Sequence, residues 1–128
     1  MSTVAIVGAS PKTDRYSHQA ILRYQERGWT VWPVNPSAGV IAGLPVYKSL
    51  AELPGRPDII CMYVNSDLGL DMLDLIVAAA PQVLWLNPGA DGEALITAAR
   101  ARGLTVFSGC TLVVLGWGDP LAVGLGQA

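Results

Sequence analysis

A chain of 128 residues is long enough for one domain that buries a core without disulfides or bound metals, and we expect a single domain over residues 1–128. The formal net charge is −2, and the eight Lys and Arg residues are scattered, so nucleic acid is not an expected partner. Apolar residues make up 52% of the chain, yet no apolar run approaches the roughly 18 residues of a membrane-spanning helix, so we expect no membrane partner. Together with two widely spaced cysteines and no signal-peptide pattern at the start, these features predict a cytoplasmic protein.

Five short apolar runs predict buried β-strands. They are continuous rather than alternating, which is typical of strands covered on both faces, as in a parallel sheet. The runs are TVAIV at 3–7, TVWPV at 30–34, DIICMYV at 58–64, VLWLN at 83–87 and LTVFS at 104–108.

Helical patterns separate these runs. We predict helices over about 17–27, 67–80 and 91–102, with a short helix at most in the SLAEL segment. Acidic residues fall early in the second and third of these helices, where they suit the helix dipole. The glycine-rich tail GWGDPLAVGLGQA predicts an irregular segment, or one lying across a sheet edge.

The alternation of strand and helix predicts an α/β fold. We expect a Rossmann-like, doubly wound parallel sheet of about five strands between two helical layers, a three-layer α/β/α arrangement. In such sheets a ligand lies beyond the carboxyl ends of the strands, near the point where strand order reverses. The loops after the five strands are therefore the candidate site.

The first loop, after VAIV, carries a candidate phosphate site. Gly8 allows close approach of a ligand, the amides of Gly8, Ala9 and Ser10 and the Ser10 hydroxyl can donate to phosphate oxygens, and Lys12 and Arg15 can neutralise the charge. The residues alone equally permit an ordinary strand-to-helix turn with a solvated basic pair. The dinucleotide fingerprint is absent, because its two further glycines are missing.

The second loop favours an adenine nucleotide other than NAD. An NAD site wants an acidic residue at the end of the second strand, whereas this chain has Val34, Asn35 and Pro36 there. Pro33 and Pro36 fix an extended edge against which an adenine can pack, and Asn35 supplies amide hydrogen bonds. A rigid turn without a ligand is the alternative.

The remaining loops contribute two amide side chains and a cysteine. Asn65 and Asn87 end the third and fourth strands and are expected at the mouth of the crevice, although Asn65 or Ser66 can instead cap the following helix, and Asp91 the next one. Cys110 can face the same crevice, but a lone cysteine is more often inert.

No catalytic set emerges from the other residue types. His18, the only histidine, is expected to be exposed or adjacent to a helix cap, so neither a zinc site nor a Ser-His-Asp triad is expected. Trp29, Trp32 and Trp85 are expected in the core, and Trp117 at an interface.

Taken in order, the segments VAIVGAS, VWPVNP, GLPVYKSLAELP, VLWLNPGA and GLTVFSGCTLVV resemble the small stand-alone CoA-binding domain proteins. These are similar to the N-terminal, CoA-binding domain of the succinyl-CoA synthetase alpha subunit. The likeness runs from about Val4 to Val114. Single segments are weak signals, and the ordered set, VNP followed by GLPVY above all, is the specific one.

The resemblance implies a Rossmann-like fold that binds coenzyme A. Gly8, Ala9 and Ser10 would hold the diphosphate with Arg15 in the family's basic position. The residues implied for the rest of the ligand are Val34, Asn35 and Pro36 beside the adenosine, Val64 and Asn65 along the crevice, and Asn87, Pro88 and Gly89 in a loop that commonly carries glutamine. The chain departs from the family pattern after VNP, where Ser37 and Ala38 replace a common lysine, and at Gly109, which replaces a basic residue.

These observations support a CoA or acyl-CoA binding protein with an accessory or regulatory role and a possible homodimer. The alternatives are an NAD(P)-linked oxidoreductase domain, an acyl-transfer enzyme that uses Cys110, and a ligand-free relic of the fold. The synthetase's phosphohistidine belongs to a domain that this chain lacks, so ligase activity does not carry over.

Overall fold

The computed structural model describes residues 2–37 and 39–126. Its strands are β1 (Thr3–Val7), β2 (Thr30–Val34), β3 (Val40–Ile41), β4 (Leu44–Pro45), β5 (Ile59–Met62), β6 (Val83–Leu86) and β7 (Val106–Ser108). Its helices are α1 (Tyr16–Glu26), α2 (Ser66–Asp71), α3 (Leu73–Ala79), α4 (Glu93–Ala101), α5 (Thr111–Val114) and α6 (Pro120–Gly124), with one 3₁₀ turn at Leu50–Glu52.

The five predicted strands form one parallel sheet in the order β2-β1-β5-β6-β7. The chain passes from β1 outward to β2 and then returns to the other side of β1 to form β5. The strand order therefore reverses between β1 and β5, which confirms the Rossmann-like, doubly wound fold. It also places the switch point, where such sheets bind ligands, at the ends of these two strands.

Alternate residues of the central strands supply two separate cores. Ile6 and Cys61 face the layer of α1 and α5, and Ala5 and Ile60 face the opposite helices. Trp85 of β6 is fully buried and stacks on Phe107, with ring centroids 4.3 Å apart. Burial of both faces explains why the strand sequences are continuously apolar rather than alternating.

One predicted helix is wrong in detail. The segment 67–80 forms two helices rather than one, with a break at Met72, where ψ is −2°. The two halves pack on different neighbours: Gly69 lets α2 approach Leu95 of α4 so closely that a Cβ there would lie 2.7 Å from the leucine, whereas α3 packs on the 3₁₀ turn.

The tail is not irregular throughout. Asp119 accepts a hydrogen bond from the Leu121 amide at 3.1 Å and so caps α6, with Pro120 in its first turn. Gly124 then packs against Val83 of the interior strand β6 rather than across a sheet edge. Gln127 and Ala128 lie outside the described residues. Nowhere in the described chain is a helix long and apolar enough to cross a bilayer.

Candidate functional site

A cleft of about 380 Å³ opens at the switch point. Its walls are the loop after β1, the first turn of α1 and the ends of β5 and β6; the lining residues are Gly8, Ser10, Lys12, Arg15, Tyr16, Ser17, Tyr63 and Pro88. The cleft therefore brings together the first, third and fourth of the predicted loops. Its volume lies in the range of roughly 300–1,000 Å³ that is typical of small-molecule sites.

Gly8 allows the first loop to pass close to β5. Its φ is +85°, which disfavours any other residue, and an added Cβ would lie 3.1 Å from Val64 Cγ1 and 3.2 Å from the Tyr63 carbonyl carbon. The role of this glycine is thus to bring two loops together at the cleft.

The first loop is held in place by hydrogen bonds to the second loop. The amides of Gly8 and Ala9 both donate to the Val34 carbonyl at the end of β2, at 3.1 and 3.2 Å. The Ala9 carbonyl accepts from Asn35 Nδ2 at 2.7 Å. The Gly8 and Ala9 amides, two of the three expected to donate to a phosphate, therefore hold the loop in place. Of the three, the Ser10 amide alone has no acceptor within the described chain.

His18 is a second contact that holds this loop. Of the two expected positions, exposed or adjacent to a helix cap, the structure shows the second, because His18 lies in the first turn of α1, three residues after the N-cap residue Arg15. The side chain is only 6% exposed, and Nδ1 lies 2.8 Å from the Ser10 carbonyl oxygen. Because a carbonyl can only accept, Nδ1 carries the proton and donates it. His18 therefore orients the backbone of Ser10, and no sequence pattern pointed to this contact.

The beginning of α1 carries unbalanced positive charge. Arg15 occupies the N-cap position without a side-chain capping bond, and the first turn contains no acidic residue. Within residues 2–37 and 39–126, the Tyr16 and Ser17 amides donate to no protein group, and neither Lys12 nor Arg15 is paired with a carboxylate. Since helix N-termini normally attract negative groups, this arrangement suits an anion supplied from outside.

The second loop is tied to the first by Asn35. Its backbone amide donates to the Tyr47 carbonyl at 3.0 Å, and its Oδ1 accepts from the Ser37 amide at 2.7 Å. With Nδ2 on Ala9, the side chain is occupied by protein contacts. Val34 is buried, and Pro36 beside it is exposed. Ala38, one of the two residues that replace the family's common lysine, lies outside the described residues.

Asn65 and Asn87 differ although both follow a strand. Asn65 Oδ1 accepts from the Leu68 amide at 2.9 Å, which confirms that it caps α2. The expectation that Asn87 lies at the mouth is wrong, because only 2% of it is exposed. Its Nδ2 donates to the Met62 carbonyl at 3.1 Å and to Cys61 Sγ at 3.2 Å, and its Oδ1 accepts from the Thr111 amide at 2.9 Å.

The rest of the fourth loop forms a tight turn. Gly89 has a φ of +94°, and its amide donates to Asp91 Oδ1 at 3.2 Å. The prediction that Asp91 caps α4 is wrong, because Gly92 occupies the N-cap position. Of this loop, Pro88 contributes surface to the cleft.

The two cysteines have different environments. Cys61 is fully buried, and burial raises the pKa of its thiol to about 11 despite a contact of 3.1 Å with Thr111 Oγ1. Cys110 is partly exposed at the N-cap of α5. The described residues contain no group of three or more metal-ligating side chains.

Tyr63 lines the cleft, but its hydroxyl adds no surface to it, because the hydroxyl oxygen is buried. Burial raises the pKa of this phenol.

Comparison with known proteins identifies the family and the fold of this chain. Residues 2–116 match the family model described as a CoA binding domain. An uncharacterized protein of Bacillus subtilis (strain 168), YneT, is 28% identical over 104 residues, which cover 81% of this chain and 77% of that protein.

Solved structures share the fold over most of the chain. A conserved hypothetical protein from Pyrococcus furiosus is 31% identical, with a TM-score of 0.80 over 89% of this chain and 99% of its own. A dinucleotide-forming acetyl-coenzyme A synthetase from Ca. Korarchaeum cryptofilum is 26% identical, with a TM-score of 0.71 over 83% of this chain. The match covers only 25% of the synthetase, so it concerns one part of that enzyme.

Proposed function

Because the chain belongs to the CoA-binding domain family, we propose that its cleft binds coenzyme A or an acyl-CoA, and that the protein is an accessory or regulatory binding module. The observation that carries this proposal is the uncapped start of α1, where free amides and two cations meet at the switch point of the sheet. A diphosphate offers the charge and the acceptor oxygens that this arrangement lacks.

The contacts assigned to the diphosphate follow from what faces the cleft. The Ser10 and Ser17 amides and the Ser10 hydroxyl donate to phosphate oxygens, and Lys12 and Arg15 neutralise their charge. Gly8 allows the ligand to approach the backbone. Ala9 takes part indirectly, since its amide and carbonyl connect the loop to Val34 and Asn35.

The adenosine is assigned to the second loop. The exposed ring of Pro36 provides an apolar surface for the base, with Val34 and Asn35 beneath it holding the loop in position. Val64 and the turn at Gly89 border the path of the pantetheine arm, while Asn65 and Asn87 keep these loops folded through the contacts described above. Ser37 and Ala38 stand where the family commonly has a lysine, and neither is basic, so the 3′-phosphate of CoA adds little affinity.

Two observations support binding rather than catalysis. The only histidine donates Nδ1–H to Ser10 and so is committed to the loop, and the Cys61 thiol stays protonated because burial raises its pKa to about 11. The proposal covers one domain over residues 1–128, located in the cytoplasm, with a homodimer as its assembly.

Calorimetric titration with CoA, acetyl-CoA, NAD and AMP tests the assignment. We expect CoA and acetyl-CoA to bind and NAD to be inert. The Ser10→Asp variant keeps an acceptor for the Lys12 amide but adds a negative charge, and should abolish binding. Arg15→Gln should weaken CoA binding by roughly 10- to 100-fold, the value of one charge-assisted hydrogen bond.

Arg100→Gln is the matched control, because Arg100 is an exposed arginine in the last turn of α4, outside the cleft. It should bind CoA like the unaltered protein. Binding of NAD alone would favour an oxidoreductase domain instead. Binding of none of the four compounds would favour a ligand-free relic of the fold. A labile acyl adduct on Cys110 would favour an acyl-transfer enzyme.

A further inference from the structure

A groove separate from the cleft lies between α1 and α5. It encloses about 390 Å³. Leu112, Leu115 and Gly116 line it from the α5 side, and Gln19, Arg23, Glu26 and Arg27 from the α1 side. None of its lining residues belongs to the cleft at the start of α1. The groove therefore combines a small apolar surface with two arginines and one glutamate, and it takes no part in the site described above.

An apolar ridge stands directly beside this groove. Val113 and Trp117 lie four residues apart and are 51% and 72% exposed. The segment that carries them is held in place, because the Trp117 amide donates to the Val114 carbonyl at 2.8 Å and Arg27 Nη1 donates to the Gly118 carbonyl at 2.8 Å. An indole this exposed is thus presented by ordered backbone.

The ridge and the groove are complementary in chemistry. The face of an indole ring carries negative charge density and attracts guanidinium groups, so Arg23 and Arg27 suit Trp117. Leu112, which is half-buried, supplies apolar contact for the ring. Arg23 is otherwise engaged by an exposed ion pair with Glu26 at 3.7 Å, a contact that costs little to rearrange.

Their adjacency specifies the partner. In a two-fold dimer the same surface of each copy meets the other, so a self-complementary patch needs its projection and its recess side by side. We propose that a second copy of this chain docks here, with the Trp117 side chain of each copy inserted into the α1–α5 groove of the other. This inference rests on the homodimer of the proposed function and gives it a contact surface, which shares no lining residue with the CoA cleft.

Sedimentation of the full chain over a concentration series tests the interface. The unaltered protein should dimerise, and Trp117→Ala and Arg23→Glu should each weaken dimerisation by about tenfold or more. Val40→Ala is the matched control: Val40 is 66% exposed on β3, away from the groove, and its truncation should leave the dimer intact. Circular dichroism checks that each variant is folded.

A mixing experiment tests the exchange itself. Trp117→Ala retains an intact groove and Arg23→Glu retains an intact indole, so a mixed dimer has one complete contact whereas either variant alone has none. Mixing the two should therefore restore dimers. A monomeric unaltered protein, or a Trp117→Ala variant that dimerises normally, would overturn the proposal. In either case CoA titration still reports on the cleft separately.

Discussion

Asn87 and Asn65 provide a matched pair of substitutions, because the same residue type follows two neighbouring strands in two different environments. Asn87 makes three hydrogen bonds in the interior, to the Met62 carbonyl, the Cys61 thiol and the Thr111 amide. Asn65 makes one exposed capping bond to the Leu68 amide. Replacing each by alanine therefore removes very different amounts of stability.

The expected magnitudes follow from these contacts. A net hydrogen bond contributes about 1 kcal/mol, and a buried donor left without an acceptor costs about 1–3 kcal/mol. Asn87→Ala should thus lower the free energy of unfolding by about 3 kcal/mol, because it leaves the Thr111 amide unpaired. Loss of the Asn65 cap should cost about 1 kcal/mol. For a domain of this size, about 4 °C in Tm corresponds to each kcal/mol.

Urea unfolding followed by circular dichroism measures both differences, and calorimetry with CoA supplies the second readout. We expect Asn87→Ala to be the less stable variant by roughly 2 kcal/mol. The reasoning is refuted if Asn87→Ala unfolds at the same urea concentration as Asn65→Ala while losing CoA binding. That pattern would mean that the Asn87 amide contacts the ligand rather than the interior.

Two further predictions concern buried titratable groups. The Tyr24 hydroxyl is buried without a hydrogen-bond partner in the described chain, so Tyr24→Phe should raise the free energy of unfolding by about 1 kcal/mol. Tyr16→Phe is the control, since Tyr16 is 69% exposed and its substitution should leave Tm unchanged. A lower Tm for Tyr24→Phe would contradict this prediction. Burial raises the pKa of Cys61 from its ordinary value near 9 to about 11, so between these pH values the unfolded chain releases a proton that the folded chain retains. The free energy of unfolding should therefore fall as pH rises through this window, by about 1.4 kcal/mol per pH unit more in the unaltered protein than in Cys61→Ala. Urea unfolding at several pH values measures both slopes, and equal slopes for the two proteins would refute the assignment.

Much of the fold was predictable because it depends on local pattern. The β1 and β2 runs match the observed strands residue for residue, and the other three strands fall within their predicted runs. The β3–β4 hairpin was not predicted, since its strands have two residues each and show no periodicity. The start of α6 was missed, because the glycine-rich tail predicted an irregular segment although Asp119 and Pro120 are typical of a helix N-terminus.

The candidate site was predictable as a set of loops but not as a set of contacts. The rule that ligands bind at the switch point selected Gly8, Ser10, Lys12 and Arg15, and these residues do line one cleft. Whether a polar side chain points toward a ligand or toward the protein depends on which acceptors surround it. His18 and Asn87 show this, because both bind backbone groups in the interior: His18 binds Ser10, eight residues away, and Asn87 binds Met62 and Thr111, more than twenty residues away.

Local sequence patterns were enough to predict the class of the fold, the approximate position of each strand and the cations at the start of α1. Hydrophobic runs and the signals that start and stop helices act over a few residues. Three features could be seen only in the folded chain: the Gly8 and Ala9 amides donate to the Val34 carbonyl, Asn87 makes its hydrogen bonds in the interior, and Trp117 lies beside the α1–α5 groove. Each of these depends on the distance between segments far apart in the chain, which local sequence does not encode.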